Sequence, residues 1–400
     1  MKQHHFVQPP GPLGPFASRY RVHLEAQGYR FGVVQHRMTQ LSQLSRWLEA
    51  NSLAAVELDE AQIVLFTSER RAGGAKTLTK PTSFQLPLSF LRVIGVVPER
   101  ATGQGLFDEL LARYARYLAQ ERGLCPKTVT AHLVAARRFC ATFRDRGELE
   151  TLGAAGVISY VLGAKNTFRP RAVEHVVTGL RSFLRYLYLS ETIGVDLVPA
   201  VPKLASRRPA PQPPALTEAE LSRLLRSCDR RRGQGRRDYA LLMAMSRLGL
   251  RAGEIVALSL DDLDWRHGEV VVRGKGNHHE RLPLPCEVGE AVAAYLFRGR
   301  PSPTVPTRVV FLRSRAPWSP LNLSGVQAVV NRASTRAGLA RFGPRRLRHT
   351  TASRMRQAGL SLAEVAQVMR HHDTRVTTVY VDVEDAALAA LARPWPGSRS

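Results

Sequence analysis

The spacing of apolar residues divides the chain into helical and strand-like stretches. Tyr20 and Leu24 fall four apart on one helical face ahead of Gly28, and 34–48 continues with the same period. About a hundred residues further on, Tyr114 and Leu118 precede Gly123, and 128–143 again reads as an amphipathic helix. Both blocks close on one tetrapeptide, Ser89-Phe90-Leu91-Arg92 and Ser182-Phe183-Leu184-Arg185, each followed by apolar residues. The steady offset fits two copies of a small all-helical unit. Two unrelated helical bundles with generic patterning would read almost the same.

The pattern breaks at 202–214, a basic, proline-rich stretch that suits neither a helix nor a central strand and reads as a semi-extended linker. A weaker break lies at 98–105. Beyond the linker, Thr217 and Glu220 stand in capping-box spacing at the start of a helix, and 238–248 predicts a second helix ended by Gly249. From Gly268 to Arg273 β-branched residues predict a strand, 274–277 a turn and 281–284 the returning strand, which places Lys275 at the tip or shoulder of a hairpin. From 324 onward the periodicity is mostly helical. The expected fold is mainly α with a small β-sheet. It comprises a helical unit at 1–98, a second helical unit at 105–202, a linker at 203–214 and a mixed α+β domain at 215–400.

Charge adds the first functional constraint. A formal net charge of +25 calls for a polyanionic partner, with nucleic acid ahead of membrane or acidic protein. The helical units are accordingly expected to bind DNA. No apolar run approaches the roughly 20 residues of a membrane span, and the N-terminus lacks the apolar core of a secretory signal. The four cysteines form no CxxC pair and read as reduced thiols, so the expected location is cytoplasmic, on the nucleoid when DNA is bound. Beyond Lys203 the sequence holds a single lysine, Lys275, among many arginines. Arginine keeps its proton at any relevant pH, whereas lysine can give one up. An isolated lysine in such a domain is a candidate proton donor, or a chance survivor of an arginine-rich composition.

Five stretches after the linker, in order, resemble the tyrosine recombinase (phage integrase) family. Gly249-Leu250-Arg251-Ala252-Gly253-Glu254 looks like its Gly-Leu-Arg-x-x-Glu box. Lys275, within Arg273-Gly274-Lys275-Gly276-Asn277, matches the family's hairpin lysine. Arg345-Arg346-Leu347-Arg348-His349-Thr350 resembles His-x-Leu-Arg-His-Thr, with Arg345 where the family usually has histidine. Met369-Arg370-His371 stands for Leu-Gly-His, and Tyr380 follows His371 at the family's nine-residue spacing. The replacement of Leu-Gly by Met369-Arg370 is expected to affect packing and not the reacting groups. The specific resemblance covers about 216–391, with only a general helical likeness over 107–202, while 1–98 falls outside it and could be an extra domain that binds arm-type DNA or a partner recombinase.

The resemblance implies a site-specific recombinase that cuts and rejoins double-stranded DNA through a 3′-phosphotyrosyl link. Tyr380 would be the nucleophile, Arg251 and Arg348 the phosphate clamp, His371 a hydrogen-bond donor to the same phosphate, and Lys275 the general acid on the leaving 5′ oxygen. Arg345 and His349 would lie at the DNA. Neither metal nor ATP is implied. Two protomers per site and four per synapse are, with 385–391 a candidate docking helix or an ordinary C-terminal helix folded on its own domain. Integration, excision or transposition of a mobile element is the expected setting. Competing readings are a type IB topoisomerase and a DNA-binding accessory protein whose catalysis has weakened, the latter resting on Arg345. If Lys275 is the acid, Lys275→Arg should lose most strand cleavage while DNA binding in a mobility-shift assay stays intact. Equal cleavage by the two proteins would remove the assignment.

Overall fold

The computed structural model describes residues 9–98, 107–143, 145–168, 170–203, 214–274, 279–302 and 306–370. Two compact units result, one formed by 1–55, 63–87 and 211–400 and the other by 56–62 and 88–210. Lys275, His371, Tyr380 and the 385–391 segment lie outside the described residues, as do most of the linker and of the break near 98–105. Among the described residues no helix is long and apolar enough to cross a membrane.

The N-terminal helices are α1 (Ala17–Ala26), α2 (Phe31–Ala50), α3 (Glu60–Ala72) and α4 (Gln85–Val93). Tyr20, Leu24, Leu41 and Leu44 are fully buried, as the four-residue spacing predicts. The next group is α5 (Asp108–Arg116), extended by a π-turn over Tyr117–Glu121, then α6 (Pro126–Cys140), α7 (Arg146–Glu150), α8 (Ala154–Thr167) and α9 (Pro170–Leu189). Tyr114 lies against Phe183 with ring centroids 4.9 Å apart, and its hydroxyl donates to Ser182 Oγ at 2.9 Å. Gly179 lets α6 and α9 close up, since a Cβ there would stand 2.5 Å from that of Ala135. The shared tetrapeptide is thus part of a buried face in both places: Phe90, Leu91, Phe183 and Leu184 are all buried.

After the linker the order is α10 (Glu218–Arg226), α11 (Gly233–Arg247), α12 (Ala252–Ala257), β1 (Leu263–Asp264), β2 (Glu269–Arg273), β3 (His279–Pro283), α13 (Cys286–Arg298), α14 (Leu323–Arg336), α15 (Pro344–Gln357) and α16 (Leu362–Val368). The capping box of Thr217 and Glu220 forms as expected. The hairpin forms too, with Arg273 opposite His279, and β1 adds a third antiparallel strand that two residues are too short to announce. Helix α11 begins five residues before the expected 238, because Arg237 and Asp238 are not a surface start. They form a buried ion pair, 2.6 Å apart and at most 3% exposed, and Arg237 also donates to the Leu312 carbonyl at 3.1 Å. Tyr295 on α13 completes the joint by accepting the Leu312 N–H at 3.2 Å while its ring stacks on Phe311 at 5.8 Å. This apolar core of α11, α13, α14 and the sheet carries two loops and one helix of the site.

Helix α15 is fixed at its base by Thr350. Its hydroxyl donates to the Arg346 carbonyl and accepts the buried N–H of Leu216, both at 2.9 Å. Arg346 Nε donates to the Pro214 carbonyl at 2.9 Å, a second stitch to the same incoming strand. Thr350→Val keeps the shape and leaves the Leu216 N–H unpaired, so unfolding by denaturant should show a loss of about 1–3 kcal/mol. An unchanged midpoint would mean that water or another acceptor replaces the hydroxyl.

Candidate active site

Helix α11 ends where Gly249 turns left-handed, at φ +60°, a conformation in which glycine has no Cβ to strain. There is no room for one either: it would sit 2.8 Å from Met369 Sδ. The turn delivers Arg251 to the N-cap of α12 in extended conformation. An arginine offers no acceptor to cap a helix, so the capping comes from Glu254, whose Oε2 takes the Arg251 N–H at 2.8 Å. The same carboxylate takes Arg251 Nη1 at 2.7 Å on Oε1. Nη2 donates to the carbonyl of Arg370 at 2.7 Å and, less closely, to that of Met369 at 3.4 Å. The Arg251 side chain stays 40% exposed.

Arg348 reaches the same place from α15. It is buried, and its guanidinium donates to the carbonyls of Gly249 and Met369. Thr351, three residues on, donates to the Ser246 carbonyl at 2.9 Å and holds α15 against α11. The two arginines assigned to one phosphate therefore converge on one carbonyl oxygen, that of Met369. Arg345, in the first turn of α15, is exposed, whereas His349, expected at the DNA, is 2% exposed and faces the packed side of the helix.

A third guanidinium joins them, that of Arg370, so the Met369-Arg370 replacement brings a buried charge to the site as well as the packing of Met369 against Gly249. Arg370 adopts φ +53°, the left-handed region that costs a non-glycine residue about 1–2 kcal/mol. Its side chain is 3% exposed and its Nη2 lies 2.9 Å from Glu254 Oε2. Nη1 donates to the Val368 carbonyl at 3.1 Å. A charge so deeply placed requires a counter-ion, and Glu254, itself 3% exposed, is that counter-ion. Burial alone would raise the carboxyl's pKa. The charge of Arg370, followed by the hydrogen bonds and charge of Arg251, outweighs burial and holds it below its ordinary value. The sequence signal for this was an arginine at a glycine position, together with the acid of the Gly-Leu-Arg-x-x-Glu box.

Lys275, His371 and Tyr380 are not placed, but the elements leading to two of them are. Arg273, at the end of β2, is anchored to Asp262 through Nε at 3.1 Å and Nη2 at 2.8 Å, which fixes the base of the hairpin that carries Lys275. Helix α16, opened by a capping box of Ser361 and Glu364, delivers the buried Met369 and then Arg370 to the two arginines, one residue before His371.

Residues 214–387 match the family model described as "Phage integrase family". The chain is 33% identical, over 97% of its length and 96% of the relative's, to "Putative integrase/recombinase y4rA" of Sinorhizobium fredii (strain NBRC 101917 / NGR234). It is 28% identical to "Tyrosine recombinase XerD" of Lacticaseibacillus casei, covering 70% of this chain and 96% of that protein. Among solved structures, a lambda integrase dimer bound to a COC′ core site superposes with a TM-score of 0.52 at 17% identity, over 72% of this chain and 96% of that one. This last likeness is one of fold.

The state of Glu254 makes a pH prediction. Its folded pKa is depressed from the ordinary 4.5, so its stabilisation is fully present above that value and is lost as pH falls through the folded pKa. The stability gap between the wild type and Glu254→Gln should therefore stay constant above about pH 5.5 and shrink steadily in acid. Chemical denaturation across that range measures it. A gap that widens below the carboxyl range would contradict the ionised carboxylate.

Proposed function

Because the chain belongs to the phage integrase family of tyrosine recombinases, enzymes that break and rejoin DNA strands, we propose that it recombines duplex DNA at specific sites through a 3′-phosphotyrosyl intermediate formed by Tyr380. The observation that carries this reading is the convergence of Arg251 and Arg348 on the adjacent carbonyls of Met369 and Arg370. Two cationic forks brought to neighbouring oxygens are what the two non-bridging oxygens of a phosphodiester require. A carbonyl carries only a partial negative charge, so a phosphate competes well for the same donors.

In the proposed reaction the Tyr380 hydroxyl oxygen attacks phosphorus and the bond from phosphorus to the 5′ oxygen breaks. Arg251 and Arg348 stabilise the charge that accumulates on the non-bridging oxygens, and His371 adds a hydrogen bond there. Lys275 gives its proton to the departing 5′ oxygen, for which the anchored hairpin supplies reach. The phosphotyrosyl link retains the energy of the broken bond, so attack by another 5′ hydroxyl reseals the strand without ATP, and no step calls on a metal. Arg345 adds positive charge but takes up no proton, and cleavage is expected to be slow for that reason.

The units at 105–202 and 1–98 bind DNA flanking the cut in this scheme, the latter as an arm domain. Two protomers sit on each site and four form the synapse, with 385–391 as the contact between neighbours. The net charge of +25 makes affinity fall steeply with salt. Integration, excision or transposition of a mobile element is the setting proposed, in line with the name of the integrase/recombinase relative. Duplexes enriched from a random-sequence pool by binding, then nicked beside the scissile bond, trap the intermediate. The wild type should form a covalent protein–DNA adduct and Tyr380→Phe none. Adduct formation by Tyr380→Phe would assign the nucleophile elsewhere, and none from the wild type would favour an accessory DNA-binding role.

A further inference from the structure

The buried Glu254 has two guanidinium partners where the phosphate clamp uses one. Its Oε1 binds Arg251 Nη1, and its Oε2 binds both the Arg251 N–H and Arg370 Nη2. Were Arg251 the carboxylate's sole counter-ion, its charge would be matched in place. Drawing it away would leave a bare carboxylate in a poorly hydrated pocket, and such a pair resists separation. Arg370 changes that balance. It is 3% exposed, lies on the inner side of the carboxylate, and is held there further by the Val368 carbonyl. Arg251 is 40% exposed and stands on the outer side.

We propose that Arg370 is a positioning residue of the clamp: it keeps Glu254 paired, so that the guanidinium of Arg251 can turn from the carboxylate to a DNA phosphate. The inference rests on the proposed phosphate-clamping role of Arg251 and goes beyond it by assigning work to a residue that touches no reacting atom. It also accounts for a left-handed arginine where a glycine would fit without strain. Arg251 and Arg370 pair with this one carboxylate and Arg348 joins Arg251 at the Met369 carbonyl, so the three guanidiniums exceed it by two positive charges. With glycine at 370 the excess is one, and Glu254 has nothing but the clamp to lean on. Arg370 thereby adds to the field at the phosphate without occupying the phosphate's place.

The test uses the full chain and nicked duplexes enriched by binding, with single-turnover adduct formation measured at saturating protein. Arg370→Gly fits the left-handed backbone, so it folds. We expect it and Arg370→Met to cleave about ten-fold or more slowly than the wild type, with DNA affinity changed far less. Arg370→Lys, which retains the charge, should recover much of the rate. Replacing Glu254 by Gln in the Arg370→Met protein should also raise the rate, because it removes the charge that holds Arg251 back. A structural role alone predicts the reverse, since that double variant loses yet another contact. Wild-type rates in Arg370→Gly, or no gain from the added Glu254→Gln, would overturn the proposal while leaving the tyrosine chemistry intact. No adduct from the wild type would overturn the clamp reading itself, and the role of Arg370 with it.

Discussion

A single carboxylate, that of Glu254, organises the site. Buried and ionised, it must be surrounded by donors, and the donors it collects set the positions of two chain segments 119 residues apart, at Arg251 and Arg370. Capping α12 from the inside lets an arginine, which cannot cap, occupy the N-cap and aim outward. Pairing with Arg370 brings the end of α16 down onto Gly249, where the absence of a side chain admits Met369. The carbonyls of Met369 and Arg370 then meet the two clamp arginines. If the carboxylate were lost, each of these placements would lose its reason, since a buried guanidinium without a counter-ion is far costlier than a broken surface pair.

Much of this was readable in the residues. Arg251 and Arg348 were singled out by the resemblance of their two boxes to the family's, and the structure brings their guanidiniums together at the Met369 carbonyl. The hairpin and the capping box of α10 were legible because their signals are local: a run of three valines before a glycine-rich turn, and a threonine three residues before a glutamate. What escaped was of a different kind. The Arg237–Asp238 pair looks like a surface helix start and is in fact buried, because its acceptor, the Leu312 carbonyl, is 75 residues away. Arg370 read as a lapse from glycine, since its partner lies 116 residues back in the chain. His349, expected at the DNA, is packed inside, and nothing in its local sequence signals that burial. Pair interactions between distant buried charges leave no periodicity to detect.

The arginine-dominated composition acquires a second meaning in this light. On the surface it supplies a salt-sensitive attraction to phosphate. Inside, the same residue serves as structural cement, because its five donors can satisfy carboxylates and carbonyls together. Arg237, Arg348 and Arg370 are all buried; the first two bridge separate segments through backbone oxygens and the third through the Glu254 carboxylate. A lysine could match the charge at these places but not the several directions of donation.

The seam between the incoming strand and α15 bears on how this protein can be divided. Pro214 closes the expected linker and Leu216 stands just ahead of the first helix beyond it, yet one accepts from Arg346 and the other donates to Thr350, and Leu216 is 3% exposed within the apolar core. Thermodynamically those residues belong to the C-terminal body. A fragment begun at the first residue of α10 would forfeit both stitches and a core side chain, while one begun a few residues earlier keeps the helix that bears Arg348 seated. The frontier for dissecting the molecule thus lies inside the proline-rich stretch and ahead of its last proline, not at the first helix beyond it.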